Sequence, residues 1–419
     1  MGLTKNTRIT QIDGSSLIRQ ISRLASTGLT RLAYSQEDIE ARAVVKEMLA
    51  AAALEIHTDA GGNIIGRREG RKSYPPIAFG SHVDTVRNGG KYDGVLGVLA
   101  GIECVNALTR ADYTTEHPLE LIIFANEEGQ VFDALCGSKA ITGLLSPNDL
   151  ARTDGNSRTL ADAIKDIGGD PVQLPVTARK QGDVAAFIEL HIEQGGILHN
   201  SETPIGIVQG ITGITYTDVC IVGLANHSGT TVMELRRDAL AAASDLILIV
   251  EKVALEGRCR VATVGRMTVT PNATNIIPGE VQLTIELRDL DARRMADTLE
   301  HLHHCAQIIQ EHRRVNVFFR DRSPIQPVPC STVVQKAIRE SCTDLGLRYR
   351  ALPSGAGHDA QMMATLGPMG MIFVPSVGGI SHSPKEFTSD EDCINGAEVL
   401  LETILRLDTS LNGTPGATV

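Results

Sequence analysis

The sequence predicts an α/β fold: a mostly parallel-sheet domain interrupted by an inserted ferredoxin-like (βαββαβ) domain. Three observations carry this. Four short apolar runs, at 77–82, 119–128, 186–191 and 369–382, each lead into a histidine or an acid with glycine close by. Runs of that length bounded by turn residues read as buried strands. Between residue 36 and about 209 helical and strand patterns alternate, the rhythm of crossover units in a parallel sheet. That rhythm stops near residue 210 and resumes after Pro327 and Pro329.

In chain order, the first stretch predicts a helix over 36–54, a strand over 77–83, a helix over 95–109 and a strand over 119–125. The middle stretch predicts a strand (214–222), a helix (233–255), two strands (260–268 and 281–287), a helix (292–312) and a strand (315–319). That order is βαββαβ. The last stretch predicts a helix over 331–345, the strand MGMIFVPS and a closing helix over 390–407. The expected domains are therefore 1–209 with 328–419, and an insert at 210–327 that serves as a lid or dimerisation module. The tail SLNGTPGATV is expected to fray.

With 419 residues, the chain suits two domains and a large core. Its 39 Lys+Arg against 50 Asp+Glu give a formal charge of -11, which disfavours nucleic acid and anionic membrane as partners. No stretch approaches the roughly 20 apolar residues of a membrane span, and the polar start MGLTKNTRITQIDGS lacks the apolar segment of a signal peptide. A cytoplasmic location is expected. The eight cysteines are never closer than twelve positions, so zinc-knuckle spacing is absent and reduced, buried thiols are expected.

The chemistry gathers at the ends of the apolar runs, where ligands bind in open α/β sheets. In GSHVDTVRNGGKYDG, His82 and Asp84 are two apart and share one side of an extended chain, and the glycine-rich loop then delivers Asp93. In FANEEGQ, Glu127 and Glu128 are adjacent and diverge, so that one can ligate metal while the other faces substrate. In AAFIELHIEQGG, Glu189, His191 and Glu193 recur at period two; His191 is the best ligand, with the acids as supporting partners. In GMIFVPSVGGISHSP, His382 sits in a loop where Gly378 and Gly379 permit close backbone approach. Singly, these read as a satisfied strand-end pair, an acidic turn or a loop histidine.

Together, three histidines and two carboxylates from four strand ends suit two divalent ions sharing one carboxylate. Two such ions outweigh two carboxylates even with a hydroxide added, which points to a small anionic substrate. The ions would bring the pKa of a bound water to about 7 and polarise a carbonyl, leaving Glu127 to move the proton to a departing nitrogen. Hydrolysis of an amide-like bond follows. The run HLHHC at 301–305 is a decoy, because helical neighbours one apart do not converge. Serine-hydrolase elbows, Walker loops and dinucleotide fingerprints are absent.

With these residues in place, the sequence resembles the amidase, hydantoinase and carbamoylase branch of the dinuclear-metal aminoacylase and peptidase superfamily. The resemblance runs from TGLTRLAYS (27–35) to the final helix, through GSHVDTVRNGGKYDG, EEG, ELHIEQG, NHSGTT, NIIPG, LRD, SGAGHDA and GISHSP. It implies that His82, Asp93 and His191 hold one metal and that Asp93, Glu128 and His382 hold the other, with Asp93 bridging. The ions would be zinc, manganese, cobalt or nickel. Glu127 becomes the general base and Asp84 the residue that orients His82.

By the same resemblance, Arg288 and Asn275 bind a substrate carboxylate, and a guanidinium suits that role because it can bind bidentately. The plainer reading of Arg288 is a salt bridge to Asp289 or Asp291. His227 would polarise the scissile carbonyl, in relatives across a homodimer. Gln194, His358, Gly355 and Ala356 lie near substrate, although His358 also suits a loop-bracing role. Relatives read HAGTTPM where this chain reads HSGTTVM, and Val232 in place of proline predicts a looser loop around His227.

The branch includes N-carbamoyl-L-amino-acid hydrolases, allantoate amidohydrolases and β-ureidopropionases. Histidine at position 191, where peptidase relatives place an acid, implies action on ureido compounds. Hydrolysis of an N-carbamoyl-L-amino acid is the leading expectation and allantoate hydrolysis the nearest alternative. A di-metal aminoacylase or peptidase, or a non-catalytic binding relative, is the further alternative.

Overall fold

The computed structural model describes residues 10–411. Residues 1–9 of the polar start and residues 412–419 of the tail expected to fray lie outside the described residues. The chain divides into two compact units, one made of the described residues up to Gln209 and from Cys330 onward, the other Gly210–Pro329.

The sheet of the first unit has four adjacent, mutually parallel strands at its centre: Leu119–Phe124, Ile77–His82, Ala186–Ile192 and Met369–Val374. Every residue of these four strands is buried. That explains why they read as continuous apolar runs, since helices cover both faces of a parallel sheet. Val95–Arg110 and Asp390–Ser410 are the main covering helices, and their apolar faces join the strands in one core.

Antiparallel strands flank this centre. The hairpin Glu55–Thr58 with Ile64–Arg68 adds to Leu119–Phe124, and Ile205–Ile211 adds to Met369–Val374. These strands leave no clear apolar period in the sequence, nor does the helix Gly14–Ala25, which the Asp13 side chain caps by accepting from the Ser16 N–H.

The second unit follows the order strand Gly213–Val222, helix Ala239–Leu255, strands Val261–Thr270 and Glu280–Asp289, helix Ala292–Arg313 and strand Asn316–Asp321. Its antiparallel sheet places Asn316–Asp321, Gly213–Val222, Glu280–Asp289 and Val261–Thr270 side by side. Burial alternates along Gly213–Val222 and Glu280–Asp289, as a sheet with one face under helices requires. The helix expected from residue 233 begins at Ala239, because the Asp238 side chain accepts from the Leu240 and Ala241 amides and caps it there; Met233–Leu235 is a separate 3₁₀ turn.

Candidate metal centre

The carboxyl ends of the four parallel strands deliver the candidate side chains. His82 is the last residue of its strand and His191 the penultimate residue of its own, each about 1 % exposed. Glu127 and Glu128 follow Phe124 through a turn in which Asn126 takes φ 53°. His382, also at positive φ, lies in the loop after Val374. Asp93 ends the glycine-rich loop before helix Val95–Arg110. Gly94 has φ 66°, and a Cβ there would stand 2.5 Å from the His82 ring, so glycine makes room for the imidazole.

These groups converge on Asp93. Its Oδ1 lies 3.1 Å from His191 Nε2 and 3.9 Å from His82 Nε2, and its Oδ2 lies 3.4 Å from His382 Nε2. His382 Nε2 is also 3.5 Å from Glu128 Oε2. His82, Asp93 and His191 form one group of potential ligand atoms within 4.8 Å of one another, and Asp93, Glu128 and His382 form another. The Nδ1 atoms of His82 and His191 face the carbonyls of Asp84 and Ile192, at 3.0 and 2.9 Å, which directs both Nε2 atoms toward Asp93.

Asp84 meets the His82 Nδ1 through its backbone carbonyl at 3.0 Å, with its carboxylate Oδ1 3.8 Å away; the same carboxylate accepts the N–H groups of Glu127 and Glu128 at 3.3 and 3.2 Å. The acids on either side of His191 have other partners. Glu189 accepts from Ser81 Oγ and the Ala360 N–H, and Glu193 accepts the Ile197 and Leu198 amides, capping a short helix.

The electrostatics are those of an acid cluster short of positive charge. Burial, with His191 alongside, takes His82 down to about 4. Burial also opposes the charge on His191, yet its hydrogen bond to Asp93 lifts it to about 9. Asp93 is held below the usual carboxylate range: burial raises it, but His191, His82 and Gln194 outweigh burial. Burial first, then Asp93 and Asp84, push Glu128 to about 9, and burial, Asp359 and Glu128 push Glu127 well up. Glu128 Oε1 and Gln194 Oε1 are buried and, among the described residues, have no hydrogen-bond partner. Imidazole nitrogens with surplus carboxylate oxygens fit divalent cations. Glu127, whose Oε2 is 3.6 Å from His82 Nε2, adjoins both groups.

Gln194, at φ 58°, donates from Nε2 to Asp93 Oδ2 at 2.9 Å. His358 is buried, with its ring edge-on to His191 at 4.5 Å and its Nε2 2.9 Å from Ser354 Oγ. The same hydroxyl meets the Ala356 carbonyl and amide, bracing the turn that exposes Gly355.

In the second unit, His227 and Asn275 are neighbours: His227 pairs with Ile276, and the Asn275 carbonyl accepts the Ser228 N–H. His227 Nδ1 accepts the Gly229 and Thr230 amides at 3.1 and 3.2 Å, so the neutral ring carries its proton on Nε2. Arg288 Nε donates to Glu286 at 2.6 Å. Side chains two apart on a strand share a face, whereas Asp289 points the other way and Asp291 caps the following helix. In HLHHC, His303 stacks on Phe319 and Cys305 lies 3.5 Å from His301; among the described residues none of the run joins a group of potential ligands. All eight thiols are free, six of them buried.

Sequence reading missed Arg31, Ser381 and Glu386. Arg31, in TGLTRLAYS, is buried; its Nε donates to the Val83 carbonyl, and its backbone exchanges bonds with Thr85, clamping the chain just past His82. The signal was a cation inside an otherwise unexplained motif.

Comparison with known proteins places this geometry. Residues 78–406 match the family described as Peptidase family M20/M25/M40. The chain is 41% identical over 390 residues to an N-carbamoyl-L-amino acid amidohydrolase of Geobacillus stearothermophilus, covering 93% of this chain and 95% of that protein. It is 37% identical over 385 residues to the allantoate amidohydrolase of Escherichia coli K12, covering 91% and 93%. A crystal structure of an amidase of the hydantoinase/carbamoylase family from Burkholderia multivorans superposes with a TM-score of 0.90 at 32% identity, over 96% of this chain and 99% of that one. The chain therefore belongs to peptidase family M20/M25/M40 and, within it, to the hydantoinase/carbamoylase amidohydrolases, hydrolases of carbon–nitrogen bonds.

Proposed function

We propose that the chain hydrolyses the ureido C–N linkage of an N-carbamoyl-L-amino acid, adding one water to yield the amino acid, ammonia and carbon dioxide. The observation that carries this reading is Asp93, shared by two ligand groups with Glu127 standing beside both. His82, Asp93 and His191 would hold one divalent ion, and Asp93, Glu128 and His382 the other. When bound, such ions supply an acidified water and a polarised carbonyl. The remaining steps belong to side chains. Glu127, already disposed by its surroundings to accept a proton, takes one from the attacking water and passes it to the departing nitrogen.

Asp84 serves by fixing the Glu127 and Glu128 amides. The roles of Gln194, His358, Gly355 and Ala356 beside the substrate, of Asn275 and Arg288 on its carboxylate, and of His227 as Nε2–H donor to its carbonyl rest on the family resemblance. So do the lid or dimerisation role of the insert and a homodimeric assembly. A cytoplasmic location belongs to the same reading; among the described residues no helix is long and apolar enough to cross a membrane.

Allantoate hydrolysis is the second reading, favoured by the similarity to the E. coli enzyme. The test is ammonia release by manganese-loaded protein from N-carbamoyl-L-amino acids, β-ureidopropionate and allantoate, and free amino acid release from N-acetyl amino acids and dipeptides, with Glu127→Gln as control. Release from an N-carbamoyl-L-amino acid, reduced roughly 10²–10⁴-fold in the control, is the expected result. Turnover of allantoate alone would move the assignment to the second reading, and turnover of dipeptides alone would refute both.

A further inference from the structure

Two loops far apart in sequence meet at Glu386. Its carboxylate is 4 % exposed; Oε1 accepts the Tyr92 N–H at 3.0 Å and the Asp93 N–H at 3.1 Å. Its Oε2 lies 3.0 Å from Ser381 Oγ, which in turn lies 2.9 Å from Asp93 Oδ2. A Cβ at Gly90 would overlap the Glu386 carboxylate, so the glycine-rich loop before Asp93 is shaped around this side chain. The loop from Val377 to Phe387 is closed on itself by the Val377 N–H donating to the Phe387 carbonyl at 2.8 Å, and it carries His382 between Ser381 and Glu386.

The arrangement is specific in its reach. Backbone and side chain of Asp93 are both gripped by the loop that presents His382, and Ser381 holds the same oxygen that faces His382. Nothing comparable is needed for His82 and His191, which are fixed by strand pairing and their own backbone acceptors. His382 by contrast is about half exposed, and its ring nitrogen faces the ligand group itself and Gln194.

We propose that Glu386, acting through Ser381, is a positioning residue that joins the His382 loop to Asp93, so that the more exposed metal position forms only while the two loops are docked. This rests on the two-metal reading of the centre.

The test is titration of the metal-free full-length chain with Co²⁺, followed by calorimetry and visible absorption, for wild type, Glu386→Ala, Glu386→Gln and Ser381→Ala. Wild type is expected to take two ions. Glu386→Ala should weaken the second ion by roughly 10–100-fold, the usual effect of losing a partner behind a ligand, with an altered cobalt spectrum and the first ion little changed. Glu386→Gln should restore binding, since its oxygen can accept both amides and its N–H can donate to Ser381. Should the alanine variant fail to fold, Ser381→Ala, which leaves both amide bonds intact, is expected to weaken the second ion in the same direction. Two ions bound as tightly by Glu386→Ala as by wild type would overturn the proposal, as would a glutamine variant no better than alanine. Fewer than two ions in wild type would instead sink the two-metal reading and take the proposal with it.

Discussion

His82 and His191 reach Asp93 from within paired strands and are almost wholly buried, whereas Glu128 and His382 reach the same carboxylate from turns beyond the strand ends, with His382 about half exposed. One half of the candidate centre is therefore prebuilt by the sheet. The other depends on loops whose order has to be maintained by hydrogen bonds. Strand-borne ligands lose little freedom on binding an ion, whereas loop-borne ligands must be ordered by it, and ordering costs affinity. The two positions are expected to fill in sequence, the strand-borne one first.

The largest expected effect abolishes the comparison. Asp93→Ala removes the carboxylate that both groups share, so both ions should be lost and ammonia release should fall to background. Metal analysis of the purified variant checks this. One ion retained at full occupancy would show that Asp93 does not bridge.

Next in size is the contrast between the halves. His191→Ala should reduce the first, tighter ion, and His382→Ala should spare it while removing the second. Calorimetric titration of the stripped variants separates the two. Equal losses at both positions in both variants would mean that the centre assembles as one cooperative unit.

How far the sequence revealed these two halves differs for a physical reason. His82 and His191 sit at the ends of short apolar runs, and burial on both faces of the sheet leaves that signature directly in the composition. Glu128 and His382 were found by the same route because glycines mark the turns that follow. Asp84 was located beside His82, but the bonds of its carboxylate to the Glu127 and Glu128 amides left no trace in the spacing, since the strand ends at His82 and alternation stops with it. Arg288 was given Asp289 or Asp291 as its plain partner, although the strand period selects Glu286. Glu386 and Arg31 left no periodic trace: each acts through backbone groups distant in sequence, which spacing cannot report. In the second unit the βαββαβ order was legible, and the start of its first helix was set by the Asp238 cap rather than by the apolar pattern.

A smaller effect concerns stability without metal. Glu128 rises from 4.5 to about 9 and His191 from 6.5 to about 9 in the folded chain. Between pH 6.5 and 9 both groups hold more proton folded than unfolded, so the metal-free protein should lose stability as the pH rises through that window. The His191 contribution is complete below pH 6.5 and disappears through about 9; the penalty for ionising Glu128 grows over the same range. Bound ions keep the ligands deprotonated throughout and should flatten the slope while raising the melting temperature. Thermal melts at pH 6.5 and 9, with and without manganese, measure both. An identical slope with and without metal would remove the ligand cluster as its origin.

The smallest effect asks whether loop-borne elements here are loose for want of a proline. By the family resemblance Val232 takes the place of a proline, yet its φ is −62°, inside the range that a pyrrolidine ring imposes. The loop is also held without it: Arg236 donates from Nε and Nη2 to the Thr231 and Ser228 carbonyls at 3.1 and 2.6 Å, and Thr231 Oγ1 donates to the His227 carbonyl at 2.8 Å. Val232→Pro should therefore act on the unfolded chain, raising stability by about 0.4–1 kcal/mol, while kcat/KM stays within about twofold. The loop around His227 is then as ordered as the proline-bearing version, and Arg236 rather than residue 232 is what orders it. A several-fold rise in kcat/KM would show the reverse, that the aim of His227 is limited by freedom at position 232.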